Sequence, residues 1–202
     1  MGPPEVGGIV LTGGGAARFG GADKASIELD GTTLLERSLE ALADVAEVVV
    51  VGDTVVTSRP VTFLREDPPG GGPAAGLLAG LAGFPRTPRL VVVLAVDMPL
   101  VTAATVRRLT LAAAQDDGYP DGHPDGHLDG ALLVDGTGRR QLLCAAYRAE
   151  ALLAAAPEDR HGLPVRRLVG DLRLVEVPAV GDEARDVDTW DDLRALRGLV
   201  EG

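Results

Sequence analysis

Residues 90–96 (LVVVLAV) run for seven positions without a polar side chain. A strand open to water on one side alternates apolar with polar residues, whereas an unbroken run has to be covered on both faces. Such a strand belongs in the middle of a parallel sheet, with helices above and below it. Shorter runs of the same kind occupy residues 8–12, 47–51 and 61–64, and further strand patterns follow at 131–134, 142–147 and 172–177. Helical patterns lie between them. Thr33 and Glu36 have capping-box spacing ahead of Leu35, Leu39 and Leu42, which share one helical face. Gly72 and Pro73 lead into Leu77, Leu78 and Leu81, and that helix is expected to stop near Gly83, Phe84 and Pro85. Helices are also predicted over residues 102–114, entered through a threonine cap, over 149–156, and after Thr189 and Asp192, where Leu193 and Leu196 fall together. This alternation predicts an α/β fold: a three-layer αβα sandwich around a mostly parallel, Rossmann-like sheet with right-handed crossovers. Aromatic residues make up only 3% of the chain against 46% hydrophobic residues, so the core has to be built from Leu, Val and Ala.

A chain of 202 residues without a linker suits one domain, residues 1–202. Residues 117–130 read as a low-complexity loop insert, because Asp-Gly recurs at 117, 121, 125 and 129 and a four-residue polar period cannot build a core. His123 and His127 lie there among Asp121, Asp125 and Asp129, but no apolar frame would hold them as metal ligands, so a solvated loop is expected. Cys144 is the only cysteine and sits among Leu142, Leu143, Ala145 and Ala146. It cannot form an intrachain disulfide and is expected to be a buried, inert thiol in a reducing, cytoplasmic setting. The first residues show no basic stretch before an apolar run, so no signal peptide is expected, and Val6 stands where a myristoylation signal needs Ser or Thr. No run approaches the length that spans a bilayer, so no membrane partner is expected. The net charge of −11 argues against nucleic acid as a partner. It leaves room for a small anionic substrate in a local basic pocket, and it suggests a divalent cation beside any phosphate.

The first predicted strand runs into Leu11, Thr12, Gly13, Gly14 and Gly15, and the loop continues through Arg18, Phe19, Gly20 and Asp23 to Lys24. Consecutive glycines let backbone N–H groups approach an anion closely. Two familiar motifs fail here. The dinucleotide fingerprint needs a third glycine where Arg18 stands, and the P-loop needs Gly-Lys-Ser/Thr where Gly20 and Gly21 stand. What remains is a glycine loop with two cationic arms, Arg18 and Lys24. Lys24 is the only lysine in the chain; every other basic residue is arginine. A compact ammonium on a flexible stem suits a polyphosphate, and both arms can offset the charge that builds on a departing pyrophosphate.

Asp97, followed by Met98 and Pro99, ends the central strand. In parallel sheets ligands bind at the carboxyl ends of strands, so Asp97 can face the same crevice as the glycine loop. Magnesium binds through one or two carboxylates plus substrate phosphates, which makes Asp97 the first candidate ligand. The alternative role for Asp97 is capping the helix that begins near Thr102. Asp186 and Asp188 alternate to one side ahead of the last helix. One of them is a candidate second ligand, against a role in capping that helix. Glu66 and Asp67 end the third predicted strand and can contact base or ribose, or merely close a turn.

Together these segments resemble the nucleotidyltransferases of the molybdenum cofactor guanylyltransferase type. The stretch from Leu11, Thr12, Gly13 and Gly14 through Arg18, Phe19 and Gly20 to Asp23, Lys24 and Ala25 resembles that family's L-A-G-G-x-S-x-R-M-G-x-D-K-A. Gly31, Leu34 and Leu35 resemble its G-x-x-L-L; Gly72, Pro73, Gly76 and Leu77 its G-P-L-A-G-L; Asp97, Met98 and Pro99 its D-M-P. Asp188, Thr189, Asp192 and Leu193 resemble its N-T-P-E-D-L. The order is kept over most of the chain. Thr12 stands for the usual Ala, Phe19 for Met, Asp188 for Asn and Trp190 for Pro, and Gly52 and Asp53 occupy a place where many members have Asn.

The resemblance implies a fold of the nucleotide-diphospho-sugar transferase type and transfer of a nucleoside monophosphate from an NTP. It implies that Leu11, Thr12, Gly13 and Gly14 line the nucleotide, that Lys24 contacts its phosphates, that Asp67 contacts the nucleotide, and that Asp97, with Asp188, holds Mg2+. On this expectation GMP passes from GTP to molybdopterin with release of pyrophosphate, with Arg18, Lys24 and Asp97 catalytic and transient contact with molybdenum cofactor enzymes. Three alternatives stay open: a molybdopterin cytidylyltransferase, a sibling acting on a sugar phosphate or phospholactate, and a non-catalytic nucleotide-binding carrier.

Overall fold

A seven-stranded sheet forms the centre of the structure, a computed structural model that describes residues 6–13, 23–115 and 128–200. Its strands are β1 (Val6–Leu11), β4 (Glu47–Val51), β5 (Thr62–Leu64), β6 (Leu90–Ala95), β7 (Gly130–Val134), β8 (Arg140–Arg148) and β9 (Leu174–Pro178). The spatial order is β5-β4-β1-β6-β8-β7-β9. The predicted central run is central: β6 lies between β1 and β8 and is buried along nearly its whole length.

Alternation along the strands divides the core into two layers, because successive side chains in a strand point to opposite faces. Val10, Val48, Val50, Leu90, Val92 and Leu94 face one layer. That layer is closed by α1 (Leu34–Ala41), α3 (Ala103–Ala114) and α6 (Trp190–Val200). Ile9, Leu11, Val49, Val51, Val91 and Val93 face the other, closed by α2 (Pro73–Ala82), α4 (Ala149–Ala155) and α5 (Val165–Leu168). The result is the expected three-layer αβα sandwich, with an almost wholly aliphatic core.

The sheet is mostly parallel, as expected, with one strand reversed. β1 pairs in parallel with β4 and β6, and β7 with β9, but β8 runs antiparallel to both β6 and β7. The physical reason is the short connection: residues 135–139 between β7 and β8 are too few for a crossover helix and can only turn back as a hairpin. A small antiparallel ribbon, β2 (Glu28–Leu29) with β3 (Thr32–Thr33), joins the glycine loop to α1. Its turn residues Asp30 and Gly31 both have positive φ, 54° and 77°, as a two-residue hairpin turn requires. The predicted capping box at Thr33 is half made. Thr33 Oγ1 accepts from Glu36 N at 3.1 Å, but the Glu36 carboxylate turns to Ser58, accepting from its backbone N at 2.8 Å. Most of the predicted insert at 117–130, with His123 and His127, lies outside the described residues.

Candidate active site

The carboxyl ends of β1, β4 and β6 meet at one edge of the sheet. Thr12 N donates to Val51 O and Val96 N donates to Leu11 O, so the chain leaving β1 is clamped between its two neighbours. The Thr12 hydroxyl also donates to Val51 O, at 3.1 Å. A methyl group placed at Gly52 would fall 1.8 Å from that hydroxyl oxygen, so Thr12 requires glycine at this position. The two departures noted in the sequence, Thr12 and Gly52, therefore form one packing pair.

Lys24 begins a single 3-10 turn, Lys24–Ser26, capped by the Asp23 side chain, which accepts from Ala25 N at 3.2 Å. The side chain of Lys24 is only 3% exposed. Its ammonium donates to Asp188 Oδ1 at 2.9 Å, to Asp97 Oδ2 at 3.2 Å and to Val187 O at 3.3 Å. Residues separated by 73 and 164 positions in the chain thus converge on one atom. Val187 N donates to Asp97 O at 2.8 Å and ties the Asp186–Asp188 stretch to the end of β6.

Neither aspartate is occupied with capping a helix. The cap of α3 is Thr102, which forms a full box with Thr105. Ahead of α6, Asp192 Oδ2 accepts from Thr189 N at 2.8 Å while Asp192 N donates to Thr189 Oγ1 at 3.2 Å, so these two residues cap the helix reciprocally. Asp97 and Asp188 are left to the cleft, with side chains 28% and 41% exposed.

Among the described residues two carboxylates face one ammonium, and the local electrostatics follow from that imbalance. Burial works against the Lys24 charge, but the hydrogen bond to Asp188 and the charge and hydrogen bond of Asp97 outweigh it, and its pKa is raised. Burial also pushes the Asp97 carboxyl upward. Lys24 opposes this, Asp188 and Asp186 add to it, and the net shift is up. Among the described residues Lys24 faces the carboxylates of Asp97 and Asp188, whereas Asp97 faces the Lys24 ammonium and two like-charged neighbours. The pair is therefore not symmetric. A cation would relieve the strain on Asp97, and hard carboxylate oxygens open to a cleft suit magnesium. Among the described residues no group of three or more His, Cys, Asp and Glu side chains is placed to hold a metal ion.

Cavities with shared lining residues surround this point. One of about 240 Å³ is bounded by Thr12, Gly13, Lys24, Pro73, Asp97 and Asp188. A second of about 250 Å³ lies between Leu11, Gly13, Glu66 and the Gly72–Gly76 end of α2. A third of about 350 Å³ reaches past Asp23, Gly52 and Arg65 to Gly70. Leu11, Thr12, Gly13, Lys24, Asp97 and Asp188 are thus brought together. Asp67 is exposed and lines none of these three cavities, whereas Glu66 lines two of them and accepts from Gly70 N at 3.1 Å. The two carboxylates are chemically alike, and the sequence alone did not show which of them faces inward. Pro73 and Leu143, both also on the walls, carry no polar signal that sequence could have flagged. Gly14 and Arg18 lie outside the described residues. Cys144 is fully buried, and burial pushes its thiol up to about 12, so it takes no part in the chemistry of the cleft.

Residues 8–177 match the model of the MobA-like NTP transferase domain. The chain is 37% identical over 121 residues to a protein of Bradyrhizobium sp. (strain ORS 278) named molybdenum cofactor guanylyltransferase; the match covers 55% of this chain and 57% of the relative. It is 29% identical over 221 aligned positions to the 2-C-methyl-D-erythritol 4-phosphate cytidylyltransferase of Deinococcus radiodurans, covering 98% of this chain and 92% of that one. Among solved structures, the molybdopterin-guanine dinucleotide biosynthesis protein A of Archaeoglobus fulgidus superposes with a TM-score of 0.65 at 23% identity, covering 96% of this chain and 98% of that one.

Proposed function

The chain belongs to the MobA-like NTP transferase family and is a nucleotidyltransferase, and from that premise we propose that it transfers GMP from GTP to the phosphate of molybdopterin. The observation that carries this reading is the convergence of Lys24, Asp97 and Asp188 beside Gly13 at the carboxyl edge of the sheet. The name of the Bradyrhizobium relative, molybdenum cofactor guanylyltransferase, supports guanine as the base and a molybdenum cofactor precursor as the acceptor.

An oxygen of the acceptor phosphate attacks the α-phosphorus of GTP. One P–O bond forms, the α–β P–O bond breaks, and pyrophosphate leaves with the electron pair. Leu11, Thr12 and Gly13 hold the nucleotide along the end of β1, and Gly14 extends that contact. Lys24, with Arg18, offsets the charge that develops on the pyrophosphate. Asp97 and Asp188 would hold magnesium, which would supply further positive charge to the phosphates. No covalent nucleophile is required, since positioning and charge neutralisation suffice for this chemistry. Among the described residues no helix is long and apolar enough to cross a membrane, and we place the reaction in the cytoplasm, with transient hand-over of product to molybdenum cofactor enzymes.

A second reading has its own support, because the Deinococcus relative that aligns with nearly the whole chain is a cytidylyltransferase of a sugar-like phosphate. Pyrophosphate release should be measured with each of the four NTPs against molybdopterin and against 2-C-methyl-D-erythritol 4-phosphate. GTP with molybdopterin is expected to give the highest kcat/KM. Turnover confined to CTP with the methylerythritol phosphate would move the assignment to the second reading. Tight GTP binding without release of pyrophosphate from any pairing would make the protein a carrier.

A further inference from the structure

An acceptor that ends in a phosphate is an anion, and it must approach a cleft edge that carries Asp97, Asp186 and Asp188. A cation on the acceptor side is needed, opposite Gly13. The reversed strand supplies one. Because β8 runs against β6, its first residue and the turn before it lie at the carboxyl end of β6, the end that carries Asp97. That turn is stiff. Asp135 Oδ1 accepts from Thr137 N at 2.9 Å, from Thr137 Oγ1 at 2.6 Å and from Arg139 N at 3.0 Å, while Asp135 N donates to Arg139 O at 3.1 Å. Arg139 therefore leaves a fixed turn. Its guanidinium stands 3.4 Å from Asp186 Oδ2, and its side chain is 64% exposed. Asp186 is two residues from Asp188 and is anchored beside Asp97 through the hydrogen bond from Val187 N to Asp97 O. The neighbouring Arg140 pairs instead with Glu176 on β9, at 3.3 Å.

We propose that Arg139 binds the acceptor phosphate and holds it across the cleft from Gly13 and Lys24; this rests on the reading of the protein as a nucleotidyltransferase with a phosphate-bearing acceptor. The pair with Asp186 is largely exposed and therefore weak. A phosphate dianion can take the planar guanidinium over in a two-pronged contact, which a lone carboxylate at 3.4 Å does not match. Asp186 then orients the arginine between turnovers and does not compete with the ligand.

The test uses the full chain, 15N-labelled, loaded with magnesium and a non-hydrolysable GTP analogue, and titrated with inorganic phosphate. The Arg139 Nε signal is expected to shift on titration. Phosphate affinity should fall about tenfold or more in Arg139→Ala and recover in part in Arg139→Lys, with the affinity for the analogue unchanged. Unaltered phosphate affinity in Arg139→Ala would overturn the proposal, as would an equal loss of affinity for the analogue, which would mark a structural role. In turnover, the KM for molybdopterin should rise about tenfold in Arg139→Ala while the KM for GTP stays put. A wild-type protein inactive on molybdopterin would overturn the acceptor assignment above, and the phosphate titration would still decide the role of Arg139.

Discussion

Lys24→Met should lower pyrophosphate release by about two to three orders of magnitude, the usual effect of removing a group that stabilises charge only in the transition state. It should also destabilise the apo protein. Lys24 is the shared counterion of Asp97 and Asp188, and without it two carboxylates confront each other at the end of the sheet. Breaking a fully buried pair costs about 3–5 kcal/mol. Here the carboxylates keep 28% and 41% of their exposure, so a loss of roughly 1–2 kcal/mol is expected. The pKa of Lys24 is raised above its ordinary 10.5. The stability its charge supplies is thus fully present below 10.5 and is lost only as the pH climbs through the folded value. Millimolar magnesium should raise the melting temperature of Lys24→Met more than that of the wild type, because the ion replaces the missing ammonium between the same two carboxylates. Turnover within about tenfold of wild type would remove Lys24 from the mechanism. No extra response to magnesium would mean that the carboxylates do not share a cation.

Asp97→Asn should abolish turnover without harming the fold. If Asp97 holds magnesium against the phosphates as proposed, its loss is expected to cost about three orders of magnitude in rate, equivalent to roughly 4 kcal/mol. The effect on stability has the opposite sign. The Asp97 pKa is raised above its ordinary 3.8, chiefly by burial. Its contribution to stability is therefore fully present below 3.8 and is lost as the pH rises through the folded value, so at neutral pH the ionised group is a net cost to folding. An uncharged isostere removes that cost, and Lys24 keeps Asp188 as a partner. The melting temperature at neutral pH should equal or exceed that of the wild type by a few degrees. At pH values near 3.8 the two proteins should converge. A variant that loses activity and melting temperature together would show that Asp97 is a structural residue.

The parts of this site that could be read from sequence are those where one local signal has one physical meaning. An apolar run such as residues 90–96 can be satisfied only at the centre of a covered sheet, and the end of that run places Asp97 at the ligand-binding edge. The glycine loop and the lone lysine give a similar signal, and Lys24 meets Asp97 in the structure. Signals with two meanings did not resolve. The run in β8 reads the same in either direction, and only the five-residue connection to β7 betrays its reversal. Asp30 and Gly31 mark a hairpin, but its strands are two residues each, too short to show a period. Glu66 and Asp67 are chemically alike and lie past the last paired residue of β5, Leu64, so strand alternation does not tell which one reaches the cleft. Arg139 is one of many arginines and becomes distinctive only when the fold sets it against Asp186. Asp188 reads equally as a cap or a ligand in the sequence, and only the structure shows Thr189 and Asp192 making the reciprocal cap while the Asp188 carboxylate meets Lys24.

The central claim is that one ammonium group and two aspartates enclose the phosphates of a single nucleotide together with its metal. A crystal structure with GTP and manganese tests it most directly. The anomalous signal of the metal should lie in contact with Asp97 and Asp188, with the Lys24 ammonium against the phosphate chain and the nucleotide along Gly13. A metal that touches neither aspartate, or a triphosphate bound away from Lys24, would contradict the account.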